Sequence, residues 1–252
     1  MKMKKIYLLM IFFFAISNVG FAEKYQIYTT ENRPYNFSDE KGRVDGIAVD
    51  VIRELFKRSK LDYKLKVVPL ARAINQTKSK KEPNACTMPL QRSQEREYSF
   101  KWVGPLLITQ SAIFSTPDSK LDVTVLRDVF NSKVGALRGS DEAEYLSGFG
   151  VNTDLSNSDK SNVSKLGKNR IALWAVDRVT GPYHAQLNKV KIKERIVFRT
   201  TLMALACNLS INDNIIKTLD DNLSQMYADG TMKKIFSDNA KKFNIDSKAL
   251  FF

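Results

Sequence analysis

Histidine is almost missing: His184 is the single one among 252 residues. A histidine-built metal site needs several such ligands, or one beside a Cys or acidic cluster, and nothing of the kind surrounds His184; it reads as a surface residue. A Ser–His–Asp triad would have to use it too, and "GPYHAQL" offers no such arrangement. No phosphate loop, no GxSxG and no HExxH occurs, so the common motif-borne chemistries are absent and no cofactor is expected. Cysteine is scarce as well, with Cys86 in "NACTM" and Cys207 in "ALACNL", both apolar and strand-like. In an oxidising compartment the two could pair, but spacing does not give geometry. The expectation is two buried free thiols. Beyond the first 22 residues no segment approaches 18 apolar residues, so no membrane-spanning helix is expected there. Internal repeats and low-complexity linkers are lacking too.

Acid is in deficit: 27 Asp plus Glu stand against 40 Lys plus Arg, a formal net charge of +13. Such an excess suits anionic small ligands, an anionic membrane surface or cell-wall polymers. Nucleic acid fits less well, because no basic run is interleaved with aromatics. The N-terminus has the layout of a cleavable export signal: basic "MKMKK", the apolar run "IYLLMIFFFAI", then "SNVGFA" with small residues at Gly20 and Ala22. Cleavage after Ala22 would deliver the protein to the periplasm. It would also remove Lys2, Lys4 and Lys5 and take the charge from +13 to +10. No Cys follows the run, so a lipid anchor is not expected. The roughly 230 residues left are ample for two lobes.

Alternation in "KYQIYTT" predicts a first strand, ended by the turn-prone "ENRPYNFSDEKGRVDG". "IAVDVIRELFK" places Val51, Ile52, Leu55 and Phe56 on one helical face. "YKLKVVPL" reads as a strand, "ARAINQTKSKK" as a short helix and "NACTMPL" as a buried strand. This β-α-β-α-β order implies a parallel sheet with helical crossovers. Downstream, "LLITQSAIFS" is a long uncharged strand. "KVGALRGSDEAEYL" repeats the strand–turn–helix logic, with Ser140 or Asp141 as cap and Glu144 completing a capping box with Asp141. "NRIALWAV" and "IVFRTTLMALACNLS" are further extended segments, and the C-terminal part is helical with a break at Gly230.

Taken in order, "RPYNF", "GRVDGIAVDVIRELFKRS", "QRSQEREYSF", "KVGALRGS", "NRIALWAVD" and "LDDNLSQMYADGTMKKIF" resemble the bacterial extracellular solute-binding proteins of family 3, the polar-amino-acid binding proteins of ABC importers. The resemblance covers essentially the whole mature chain. It implies a two-lobed α/β clamp, each lobe a mostly parallel sheet flanked by helices, joined by a two-strand hinge. Lobe 1 would comprise residues 23–109 and 205–252, and lobe 2 residues 110–204. The solute would lie between the lobes, which close on it. The implied partners are a small-molecule amino acid or carboxylate and a membrane importer or sensor. A monomer is expected.

The resemblance also assigns site residues. Arg96 matches the arginine that clamps the ligand carboxylate, a task a planar guanidinium performs with two parallel hydrogen bonds. Asp177 matches the aspartate that pairs with the ligand ammonium. Ser140 matches a hydroxyl residue near a helix N-terminus that attracts a carboxylate. Tyr35 stands where relatives place an aromatic wall, with packing beneath the first loop as its alternative. Gln91 replaces the usual Ser or Thr, Leu70 stands where relatives often carry Trp or another bulky apolar wall residue, and Asp141 replaces a Thr. So close to a ligand carboxylate, Asp141 would repel it: either it only caps the helix, or the ligand is not an ordinary α-amino acid. Arg72 reads as cleft-facing or solvated, and Trp174 as core or cleft floor. In "RSQEREYSFKWVGP", Arg92 reads as lining the cleft mouth or, the favoured alternative, pairing with Glu95, and Phe100 is expected to pack into lobe 1. An enzyme on the same clamp, of dehydratase type, is the rival reading, with Asp141 and Glu142 as its acid–base candidates. An accessory protein of the envelope is another.

Overall fold

The computed structural model describes residues 24–250; the expected signal peptide lies outside them. The chain opens with β1 (Tyr25–Thr29) and a short hairpin of β2 (Phe37–Ser38) and β3 (Val44–Asp45). Helix α1 (Ile47–Arg58) follows and buries Ile47, Val51, Ile52, Leu55 and Phe56, the periodic face legible in the sequence. It starts at Gly46, whose φ of 127° suits glycine, and a Cβ there would lie 2.4 Å from the Tyr35 carbonyl oxygen. That close approach holds the Tyr35 loop against the helix. Next come β4 (Tyr63–Val67), α2 (Leu70–Lys78), β5 (Ala85–Gln91) and the short α3 (Gln94–Glu97). Strand β1 pairs in parallel with both β4 and β5, as the β-α-β-α-β order requires.

Strand β6 (Lys101–Ser115) then carries the chain into a second α/β unit. This unit contains β7 (Val134–Leu137), α4 (Asp141–Gly148), β8 (Thr153–Ser156), α5 (Asp159–Gly167), β9 (Leu173–Asp177) and α6 (Thr180–Leu187). Strand β10 (Lys193–Cys207) returns antiparallel to β6 along almost its whole length. One sheet results, ordered β4-β1-β5-β10-β6-β9-β7-β8. The two 15-residue strands are its shared centre and form the hinge of a two-lobed clamp. Helices α7 (Asp213–Ala228) and α8 (Thr231–Phe243) close the first lobe, separated at Gly230 with φ 80°.

Each lobe has its own apolar interior. The first has a large cluster built on α1, β5, α7 and α8, with two smaller ones around Tyr28 and Ala73 and around Leu90 and Phe100. The second is split by its sheet, because β9 alternates: Leu173 and Ala175 pack beside Val134 and Leu146, while Trp174 and Val176 pack beside Phe114, Val163 and Leu166. Trp174 is fully buried in that second cluster, so it is a core side chain rather than part of a cleft surface. Its ring meets Phe114, 6.5 Å away between centroids.

Cys86 and Cys207 form a disulfide, contrary to the expected free thiols. The reason is register: β5 and β10 are antiparallel neighbours that place these two residues directly opposite, with Cα atoms 4.0 Å apart. A separation of 121 residues hid this pairing. The bridge lies wholly within the buried first-lobe core.

Candidate functional site between the lobes

The hinge strands set the floor of the site. Register pairs Arg199 of β10 with Ser111 of β6, and Ser111 with Asp177 of β9. These three residues therefore form one row across the sheet and share a face. Asp177 ends its strand, at the carboxyl end of the lobe's parallel strands where open α/β sheets place ligands. The first turn of α4 lies over the row: Glu142 Oε1 accepts from Ser111 Oγ at 2.8 Å, and the Asp141 carbonyl accepts from Arg199 Nη1 at 3.4 Å.

The first lobe faces this row with two side chains. Tyr35, only 3% exposed, donates its hydroxyl to Asp177 Oδ1 at 3.0 Å and so joins the lobes directly. Gln91 sits between Asp141 and Arg199. With its amide oriented to satisfy both, its nitrogen donates to Asp141 Oδ2 at 3.0 Å and its oxygen accepts from Arg199 Nη2 at 2.6 Å. Asp177 Oδ1 also accepts from the backbone N–H groups of Val179 and Thr180, each at 2.9 Å. Its other oxygen, Oδ2, is buried without a hydrogen-bond partner. Beyond the site, Tyr183 of α6 meets Phe243 of α8 edge to face, and Val179 enters the first-lobe core, so the lobes are in contact over a wider area.

Electrostatics single out the second-lobe side. Burial, and then the Asp177 charge, push the Glu142 carboxyl up to about 7. Asp159, the first residue of α5, rises to about 6 for the same two reasons. Burial also raises Asp177, against the pull of its backbone donors. The Tyr35 hydroxyl is held well above its ordinary value by burial and by the acidic pair Asp177 and Glu142.

Several expected site residues take other positions. Ser140 is the N-cap of α4, its Oγ accepting from Ala143 N–H at 3.2 Å. Asp141 is the first helical residue, so the Asp141–Glu144 capping box does not form; the Asp141 side chain reaches across to Gln91 instead. Arg96 is half-buried on α3, and its Nη1 donates to the Gln91 carbonyl at 3.3 Å, beside the cleft but on backbone. Leu70 and Arg72 are exposed in the first turn of α2, with no hydrogen bond to the site among the described residues. Arg92 pairs with Glu97 rather than Glu95, at 2.5 and 2.9 Å, with its guanidinium over the Trp102 ring. Phe100 packs inward as expected, while Tyr98 is 93% exposed. His184 is half-buried rather than on the surface; burial and nearby Arg33 lower its pKa.

Sequence reasoning missed Arg199, Ser111 and Asp159. Each lacks a motif. The available signals were a lone charge within "IVFRTTLMALAC" and a Ser–Asp pair opening α5.

Fold and site together define a two-lobed binding clamp. The sequence profile of the bacterial extracellular solute-binding proteins, family 3, matches residues 26–241, and the chain belongs to that family. No curated protein matches. Among solved structures, a histidine kinase sensor domain with similarity to periplasmic binding proteins is similar at 18% identity and a TM-score of 0.72, over 85% of this chain and 95% of that one. An ancestral arginine-binding protein bound to arginine is similar at 19% identity and 0.70, over 85% and 97%. The GluR0 ligand-binding core from Nostoc punctiforme, in complex with L-glutamate, is similar at 17% identity and 0.70, over 85% and 98%. At these identities the likeness is one of fold. The family and these neighbours are mainly binding proteins. No helix among the described residues is long and apolar enough to cross a membrane.

Proposed function

We propose that the mature protein is a periplasmic clamp for a small polar solute of amino-acid type, delivered to an ABC importer or reported to a membrane sensor. The proposed lobes are residues 23–109 with 205–252, and residues 110–204, with the N-terminal 22 residues removed on export. The observation that carries the reading is the Tyr35–Asp177 bond between the lobes. A neutral hydroxyl occupies one oxygen of a buried carboxylate while the other is unpartnered. A solute ammonium arriving there would replace the hydroxyl and give the carboxylate its missing partner. Arg96, freed from its long contact with the Gln91 carbonyl, is the proposed clamp for a solute carboxylate. Solute binds the closed form better than the open one and shifts the equilibrium towards closure.

A thermal-shift screen with the twenty amino acids, dicarboxylates and polyamines tests this. A true ligand at 100 times its Kd stabilises the fold by about 2.7 kcal/mol. Arg96→Ala should abolish the shift for any carboxylate ligand. If no solute shifts the melt, the reading fails. If a carboxylate ligand still binds after Arg96→Ala, the role given to Arg96 fails.

A further inference from the structure

Two grooves on the outer surface carry different charge patterns. On the first lobe, the groove between α1 and α8 sets Arg53, Lys57 and Lys234 against Asp50, Glu54 and Asp238, each base paired with an acid on its own helix. On the second lobe, a groove of about 350 Å³ runs along α5 and is lined only by lysine, arginine and serine. Its cations are Lys160, Lys165, Lys168 and Arg170, with three serines between them. Lys165 has an acid partner, Asp154, which it shares with Lys133. Lys160, Lys168 and Arg170 are exposed and form no ion pair among the described residues.

Packing brings a second basic segment to the same place. Gly167, the last residue of α5, touches Val190: a Cβ on the glycine would lie 3.0 Å from Val190 Cγ2. Alternation along "KVKIK" turns Val190 and Ile192 onto the apolar cluster that holds Leu166 and leaves Lys189, Lys191 and Lys193 exposed. These three form no ion pair among the described residues either. Glu194, next in the chain, is held by Arg178. The helix dipole accounts for Lys165 in the last turn of α5, but not for the lysines of the extended segment. Leu187, which ends α6 just before these lysines, is 61% exposed.

We infer that this end of the second lobe is a docking face for an anionic membrane surface. Six unpaired cations on two neighbouring segments repel one another unless anions face them. Five of the six are lysines. Their compact charge on a flexible stem suits a diffuse layer of headgroup charge, whereas a shaped anion is held better by the fixed fork of arginine. Exposed Leu187 selects a bilayer over a hydrated polyanion, because only the bilayer has an apolar layer beside its charges. The lysine stems can lie along that layer while their ammonium groups stay among the headgroups. This face does not compete with the cleft. Lys193 pairs with Ser115 at the end of the hinge strands far from the first lobe. It lies six residues along β10 from Arg199, or about 20 Å. Solute and membrane can therefore be held together.

Vesicle co-sedimentation tests this, with phosphatidylcholine alone and with phosphatidylcholine carrying a quarter phosphatidylglycerol. The protein should bind the anionic vesicles about tenfold or more tighter than the neutral ones. Salt at about 1 M, where the screening length falls to about 3 Å, should release it. Combining Lys168→Gln, Arg170→Gln and Lys191→Gln should weaken binding about tenfold or more. The same charge removed from the exposed face of the first lobe, by Lys64→Gln, Lys66→Gln and Lys80→Gln, should weaken it less than about threefold. Leu187→Asn should weaken it about threefold. All these side chains are exposed, and parent and variants share one N-terminus, so its contribution cancels. Equal binding to the two vesicle types, no binding to either, or equal losses from the two triple variants overturns the inference. Binding that Leu187→Asn leaves unmoved, or that soluble polyphosphate matches, assigns the face to a polyanion and overturns it too. Each of these outcomes leaves the solute-binding reading standing.

Discussion

The two lobes differ in what their charges do. In the first lobe and its closing helices, acids are matched with bases on the outer surface. Asp229, beside Arg58 and Thr231, is held down at about 2, and Asp45 is lowered by Lys242 and Arg53 even against partial burial. In the second lobe the acids near the hinge have almost no basic partners and are pushed up, Glu142 to about 7 and Asp159 to about 6. The disulfide lies on the first side too. Matched charges and a covalent tie make a platform, whereas unmatched acids drawn away from water cost stability, and such groups mark a candidate binding site.

The sharpest way to break that contrast is to weaken the platform. Replacing both cysteines by serine should lower the unfolding free energy in urea by about 5 kcal/mol, since the bridge closes a loop of 121 residues. Buried Tyr35 and the hinge row should keep their arrangement at low denaturant. Next in size is Asp177→Asn, which leaves an oxygen for the Val179 and Thr180 N–H groups but removes the charge. It should weaken binding of a cationic solute by about 2–5 kcal/mol in titration, with a much smaller change in the melt.

A pH series on the ligand-free protein should sharpen the contrast from the other side. Glu142 and Asp159 have folded-state pKa values above their unfolded ones, so the folded state holds more protons between them. Their contribution to stability is present below the unfolded values and is lost as pH rises towards about 6 for Asp159 and about 7 for Glu142. The slope from each is at most about 1.4 kcal/mol per pH unit. Asp229 works oppositely: its contribution is present above its ordinary value and fades as pH falls towards about 2. Chemical denaturation at pH 5 and pH 7.5 should show the loss, and Glu142→Gln should flatten it. The smallest effect belongs to the exposed pair Arg92–Glu97. Arg92→Ala should leave both melt and affinity close to those of the parent, as isolated surface pairs generally do.

Much of the architecture was legible in the residues. The α1 stripe, the parallel β1–β4–β5 order and the break at Gly230 follow from periodicity and turn chemistry, and the structure has all three. The site was legible in part. Asp177 and Tyr35 could be named from a motif and a turn, and they meet across the lobes. Arg199 and Ser111 could not, because their meaning comes from lying opposite one another across hinge strands far apart in sequence. Trp174 shows the limit of residue type: its place depends on which face of β9 it takes.

By itself the sequence determined the local elements and the alternation of apolar and polar positions, since those depend on neighbours within a few residues. It also determined the family, through motifs kept in order. Register was decided only by the tertiary structure. Antiparallel pairing of β5 with β10 made two distant cysteines into a bridge, and pairing of β10, β6 and β9 set an arginine, a serine and an aspartate in one row. Enclosure of Asp177 in that row, and of Glu142 and Asp159 at the helix starts beside it, then raised their carboxyls, because a charge loses its solvation only when the rest of the chain has closed around it.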